Sequence, residues 1–189
     1  GRIAAGFALI VAIVVAWNLR INKLYDELER RSRTDPLTGL ANRTHLDAVL
    51  RQEADRAERY NRPFAVILFD VDLFKAVNDV HGHLAGDKVL RTLAAAAKAT
   101  VRTSDMVGRW GGEEFLVLCP ETTAEAALVL AERLRLAVRE QSFATGSVQT
   151  VSLGVAGFAP GDSVDSLLIR ADDALYRAKN AGRDRAMAG

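Results

Sequence analysis

The chain has 189 residues and a formal net charge of +1, from 25 Lys and Arg against 24 Asp and Glu. With 49% hydrophobic and 26% charged residues it has the make-up of one ordinary globular domain plus a short addition, not that of a disordered chain. The near-zero balance argues against a nucleic-acid polymer as partner, since such partners draw a basic excess. The single cysteine, Cys119, excludes an intramolecular disulfide and any cysteine-based zinc cluster; it reads as a small buried hydrophobe in a reducing compartment.

Ile3 to Trp17 is an unbroken apolar run of 15 residues, against the roughly 20 of a typical spanning helix and a lower limit of about 17. No small-residue cleavage site follows it, as a signal peptide would need. Arg20, Lys23, Arg30, Arg31 and Arg33 come after the run and only Arg2 before it, a bias that places the following chain on the cytoplasmic side. Residues 1–33 are therefore expected to anchor the chain at the inner membrane, with a cytoplasmic domain at 34–189. Past the run, Ile21, Leu24 and Leu28 keep coiled-coil spacing, which predicts a helical stalk that pairs with a second copy of itself; a lone amphipathic linker is the alternative. The chain opens on Gly1, not Met, as expected of a fragment of a longer protein.

Thr34-Asp35-Pro36 breaks the stalk, because the residue before a proline is driven out of helical geometry. Asn42 caps a predicted helix to Tyr60 with Leu46, Val49 and Leu50 on one side. Phe64 to Phe69 (FAVILF) predicts a buried central strand ending at Asp70, with Asp72 two residues on. A short helical turn over 73–80 and an alanine-rich helix from His83 to Val101 follow. Asp105 to Trp110 and Glu113 to Leu118, joined by Gly111-Gly112, predict a tight hairpin. Thr122 to Glu140 is periodic, with Ala126, Val129, Leu130 and Leu134 predicted inward; Val148 to Phe158 alternates as a strand; Ser163 to Ala181 is the last predicted helix. The expected fold class is α+β, a mostly antiparallel sheet flanked by helices.

If the first strand neighbours the hairpin, Asp70, Asp72, Glu113 and Glu114 meet at one edge of the sheet. Crowded buried carboxylates repel one another, and a hard divalent cation removes that cost. Oxygen donors point to Mg²⁺, with Mn²⁺ as the alternative, and Mg²⁺ characteristically shares its shell with phosphates. Gly111 and Gly112 then leave room for a close-approaching phosphate; a solvated acidic loop is the plainer reading of the same hairpin. Lys75, Lys179 and Arg183 are cations within reach, although charges at a helix end also serve the helix dipole. Asn78, His83 and Asp87 carry groups suited to a base edge, or to caps and turns.

The string RWGGEEF, preceded by TDPLTGLANR and FDVDLFKAVNDVHGHLAGDKVL and followed by ADDALYRAKNAGRDR, resembles the GGDEF family of diguanylate cyclases over Thr34 to Arg185, about four-fifths of the chain. The resemblance implies the palm-like nucleotidyl-cyclase fold and the condensation of two GTP into cyclic di-GMP with release of two pyrophosphates. It implies that Asp70, the Val71 carbonyl, Glu113 and Glu114 hold Mg²⁺, with Glu113 as proton acceptor. It further implies that Lys75, Lys179 and Arg183 neutralise phosphate charge, and that Asn78 and Asp87 read guanine beside His83. The motif here is GGEEF, in which Glu keeps the charge and oxygen donors of Asp and adds one methylene. Arg102 and Asp105, in the spacing RxxD, resemble the family's inhibitory product site with Arg133 in support; an ordinary surface ion pair is the alternative. One GTP per domain requires a homodimer, which the N-terminal helices would hold. The competing function is a non-catalytic module that binds GTP or cyclic di-GMP.

Overall fold

The apolar run FAVILFDV forms β1 (Phe64–Val71), with all eight residues buried. A strand buried on both faces must lie at the centre of a sheet covered on both sides, and β1 does. The structure, a computed structural model, describes residues 13–21 and 33–189, and the chain divides into two units, Gly1–Arg33 and Thr34–Gly189. In the first unit residues 13–21 are helical, with Ile13, Val14, Val15, Trp17 and Leu19 exposed. The rest of the predicted anchor, and Leu24 and Leu28 of the predicted stalk, lie outside the described residues. Among the described residues no helix is long and apolar enough to cross a membrane.

In the second unit α1 (Arg43–Tyr60) precedes β1, and α2 (Phe74–His81), α3 (His83–Thr100), β2 (Met106–Arg109), β3 (Glu114–Pro120), α4 (Ala124–Arg139), β4 (Val151–Gly157), α5 (Val164–Asn180) and β5 (Ala186–Ala188) follow. The sheet order is β2-β3-β1-β4-β5. All pairings are antiparallel except β4 with β5, in keeping with the expected palm-like α+β architecture. Side chains alternate across β1, so Ala65, Ile67, Phe69 and Val71 pack with α2, α3 and α4, while Phe64, Val66 and Leu68 pack with α1 and α5. Phe69 stacks on Phe115 of β3 with ring centroids 5.3 Å apart.

The helix starts follow from capping chemistry: the Asn42 side chain accepts from His45 N at 2.9 Å, Thr123 from Ala126 N, and Ser163 forms a reciprocal box with Ser166. The structure departs from the predicted elements in four places. The hairpin turn is longer than two residues, since Trp110, Gly111, Gly112 and Glu113 all lie between β2 and β3. The buried face of α4 is Ala127, Leu130, Ala131, Leu134 and Val138, while Ala126 and Val129 face outward. Strand β4 begins only at Val151. Three residues make β5, too short for alternation to register.

Two close approaches fix the frame around the site. A Cβ on Gly154 would lie 2.0 Å from the Ala171 carbonyl oxygen and 2.4 Å from the Leu175 nitrogen, so only glycine lets α5 lie directly on β4. The outer edge of β2 is covered by the 34–41 segment, with Arg109 N donating to the Ala41 carbonyl at 2.9 Å; a Cβ on Gly108 would meet that same oxygen at 2.5 Å.

Candidate active site

Asp70 stands opposite Glu114 on β3 and opposite Ser152 on β4. Directly opposed residues point to the same face, so the two carboxylates share the face covered by α1 and α5. Asp70 is only 6% exposed. The Lys179 ammonium, in the last turn of α5, donates to its Oδ2, whereas Oδ1 is buried with no hydrogen-bond partner. Burial pushes the Asp70 carboxyl up to about 6; the bond to Lys179 and its charge pull the other way, and Glu113 and Glu114 add to the rise.

An orphaned carboxylate oxygen beside two further carboxylates is a donor set that suits a hard cation. Among the described residues no group of three or more His, Cys, Asp and Glu side chains is already drawn together as a cage, in line with Lys179 holding the other Asp70 oxygen. A pH test follows from the buried carboxyl. A divalent cation competes with the Asp70 proton, so Mg²⁺ affinity should weaken about tenfold per pH unit below about 6. Stability of the metal-free protein should change in the opposite sense. Between the ordinary carboxyl value of 3.8 and about 6 the folded protein holds more protons than the unfolded chain. The favourable contribution is thus complete below the lower value and lost as pH rises through the upper one. Urea unfolding of the chain and of Asp70→Asn across this range checks it, since the difference in stability between the two should carry this slope.

The glycine turn is held from behind. Trp110 N and Gly111 N donate to the Glu114 carbonyl at 2.8 and 3.2 Å. Arg109 donates from Nε and Nη2 to the Gly112 carbonyl at 2.9 and 2.7 Å, and from Nη1 to Asp35 Oδ1 at 3.2 Å. Burial alone would raise the Asp35 carboxyl, but the Thr38 hydroxyl and amide and then Arg109 outweigh it and hold it below its ordinary value. The Arg43 guanidinium lies 4.6 Å over the Trp110 ring. A side chain at Gly112 would meet no protein atom within 4 Å, so this glycine opens space toward solvent. The Asp35–Arg109 and Arg43–Trp110 contacts escaped the sequence reading because the two members of each pair are remote in the chain.

On α2 and α3, a Cβ at Gly86 would fall 2.0 Å from Asn78 Oδ1. That glycine therefore lets the Asn78 amide lie against the start of α3 beside Asp87. Asn78 and Asp87 are half-buried, Lys75 and His83 exposed. Leu73, which opens α2, is left-handed at φ 56°. Arg183 is exposed, left-handed at φ 61°, in the loop after α5. The structure thus gathers Asp70, Glu114 and Lys179 at one strand end, with Glu113 in the adjoining turn, and sets Asn78 beside the helix that carries Asp87.

Away from this cluster, Arg102, Asp105 and Arg133 line one small cavity of about 50 Å³ with Val129 and Leu130. Arg102 N donates to Asp105 Oδ2 at 2.9 Å and Arg133 Nη2 to the Thr100 carbonyl at 3.5 Å, leaving guanidinium donors on both arginines. Cys119 is buried, which pushes its thiol up to about 12 and keeps it inert.

A family model described as "Diguanylate cyclase, GGDEF domain" matches residues 32–185. The diguanylate cyclase DgcM of Escherichia coli strain K12 is 41% identical over 166 residues, which cover 88% of this chain and 40% of that protein; the chain thus spans less than half of that relative's length. Among solved structures, the coiled coil and GGDEF domain of DgcB from Caulobacter crescentus in complex with c-di-GMP superposes with a TM-score of 0.80 at 31% identity, covering 95% of this chain and 97% of that one. The active GGEEF domain of a diguanylate cyclase from Vibrio cholerae superposes with a TM-score of 0.75 at 36% identity, covering 79% and 97%. The chain belongs to the GGDEF-domain family of diguanylate cyclases.

Proposed function

We propose that the chain condenses two GTP into cyclic di-GMP and two pyrophosphates, acting as a homodimer. The observation that carries this reading is the buried Asp70, set opposite Glu114 across two strands with one oxygen unpartnered and the other on Lys179. Asp70, the Val71 carbonyl, Glu113 and Glu114 are the donors for Mg²⁺, or for Mn²⁺ in its place. Such an ion, when bound, makes the attacking hydroxyl more acidic and offsets triphosphate charge.

The rest of the chemistry belongs to the protein. The 3′-oxygen of one GTP attacks the α-phosphorus of the other; a P–O bond forms there, the bond to pyrophosphate breaks, and the hydroxyl proton passes to Glu113. Repetition in the opposite sense closes the ring. Glu113 suits this role because it stands in the turn and is partly open to solvent. Lys75, Lys179 and Arg183 meet the triphosphate and take up the charge that moves to the leaving group. Asp87 accepts from guanine N1 and N2, Asn78 bonds the same edge, and His83 lies beside them; adenine would leave the Asp87 carboxylate unpaired.

Each domain holds one GTP, so two must face each other. DgcB carries a coiled coil with its GGDEF domain, which supports a paired N-terminal helix as the dimer's hinge. The apolar run, the basic residues after it and the exposed apolar side chains of 13–19 support an inner-membrane anchor with the catalytic domain in the cytoplasm. The c-di-GMP complex of DgcB and the shared cavity of Arg102, Asp105 and Arg133 support product inhibition at that cavity. Arg102→Ala should raise the concentration of cyclic di-GMP needed for half-inhibition by at least about tenfold, equivalent to one charge-assisted hydrogen-bonded contact, with little change in the initial rate. Inhibition curves with added product check this. Incubation of the chain with GTP and Mg²⁺, with the product identified by mass, tests the activity. Cyclic di-GMP is the expected product, while tight GTP binding without turnover would favour a non-catalytic binding module.

A further inference from the structure

Asp72 lies two residues beyond Asp70, yet its carboxylate, unlike that of Asp70, has partners on both oxygens. It is buried and fully engaged: Ser152 Oγ donates to Oδ1 at 2.7 Å, and Thr150 Oγ1 and the Asp184 amide donate to Oδ2 at 2.7 and 3.1 Å. The Asp184 carboxylate is gripped in turn by Arg135 at 2.8 Å and Arg139 at 3.0 Å, one turn apart on α4. Glu132 completes the clamp, accepting from Arg135 Nε at 2.8 Å and from Ala186 N at 3.2 Å. This grip holds a strained segment. Gly182, Arg183 and Asp184 have φ of 109°, 61° and 45° in succession, a conformation that L side chains resist and that persists only where the surroundings impose it.

We propose that Asp72 and Asp184 are positioning residues, which hold the 182–184 loop in its left-handed course and so aim Arg183 at the phosphates of GTP. The inference rests on the phosphate role of Arg183 given above. The loop has two ends tied to the machinery: Asp72 joins it to the end of β1 that supplies Asp70 and Val71, and α5 supplies Lys179. Lys179 sits in the last turn of α5, seated by the buried Ala174, Leu175 and Ala178, and the loop reaches that turn only through Gly182 N and Arg183 N, which donate to the Lys179 and Ala178 carbonyls at 3.4 and 3.1 Å. Losing the clamp should therefore weaken the contact made by Arg183 and spare that made by Lys179. Guanine recognition, on α2 and α3, should also be untouched.

The test is a double-mutant cycle on the full chain, reading steady-state kinetics with GTP and calorimetric binding of guanosine. Asp184→Ala should lower kcat/KM for GTP about tenfold, mainly through KM, with guanosine binding unchanged. Combined with Arg183→Ala it should cost no more than Arg183→Ala alone, because the clamp acts only through that arginine. Asp184→Asn, which tolerates the left-handed conformation but loses the ionic grip, should fall between the chain and Asp184→Ala; the same cycle can be run on it should the alanine variant fail to fold. Additive losses, or an undiminished kcat/KM in Asp184→Ala, overturn the inference while the phosphate role of Arg183 stands. Arg183→Ala without any loss removes the phosphate role itself, and the positioning role with it.

Discussion

Asp70→Ala is expected to reduce formation of cyclic di-GMP by at least about a thousandfold, the scale at which removal of a group stabilising transition-state charge is felt, while the domain stays folded. The side chain lies in the most buried strand of the sheet, opposite Glu114, and no neighbouring carboxylate can slide along a central strand to replace it. Folding should survive because the charge is a burden to the fold. Its carboxyl is driven up to about 6 by burial, and its unpartnered oxygen gains nothing from the protein. Lys179, left without its partner, keeps a third of its side chain exposed and turns to water. The melting temperature near neutral pH should therefore be unchanged or higher, and product chromatography beside a thermal melt reads both quantities. Glu114→Ala is expected to behave alike. Turnover within about tenfold of the unaltered chain would remove Asp70 from the site.

The second large effect lies outside the cluster. Gly154→Val should destabilise the domain by about 3 kcal/mol or more, at or above the upper part of the usual range for overpacking, and should lower activity further than unfolding accounts for. Even the first atom added at this position would lie 2.0 Å from one backbone atom of α5 and 2.4 Å from another, and backbone cannot swing aside as a side chain does. The whole helix must lift from β4, and its last turn carries Lys179. A displacement of about 1 Å at a reacting centre can cost on the order of a hundredfold in rate. Gly157→Ala on the same strand is the control: its new atom would come no closer than 3.1 Å, to the Ala124 methyl, with the Ala124 backbone at 3.4 Å and beyond, and should cost about 1 kcal/mol or less. Urea unfolding with steady-state rates on the folded fraction distinguishes the two.

Much of this is legible in the amino-acid sequence. FAVILFD announces a central strand with an acid at its end, and the glycine pair announces a reversal that brings two more acids near it. The Asn42 cap marks α1, alanine-rich composition marks α3, and a repeating apolar stripe marks α4. On α4 the period places Leu130 and Leu134 inward as they are, but it admits Ala126 and Val129 as readily as Ala127 and Ala131, and only packing on the sheet chooses between them. The sequence shows a two-residue turn where four residues form it, because Trp110 and Glu113 look like strand residues; Arg109 grips the Gly112 carbonyl and Asp35 together across that wider turn. Asp35 and Arg109 lie 74 residues apart in the chain, and nothing local marks them as a pair. Asp72 reads as a second acid of the same kind as Asp70. Two hydroxyls at the start of β4 and the Asp184 amide of the loop engage it instead, and those partners come from positions about 80 or more residues away.

The most direct measurement is anomalous diffraction from crystals of the chain grown with Mn²⁺ and a non-reactive GTP analogue. Manganese bound to the carboxylates of both Asp70 and Glu114, with the triphosphate completing its shell, is the expected result. An ordered analogue whose manganese touches neither carboxylate would contradict the assignment of this strand end as the catalytic centre.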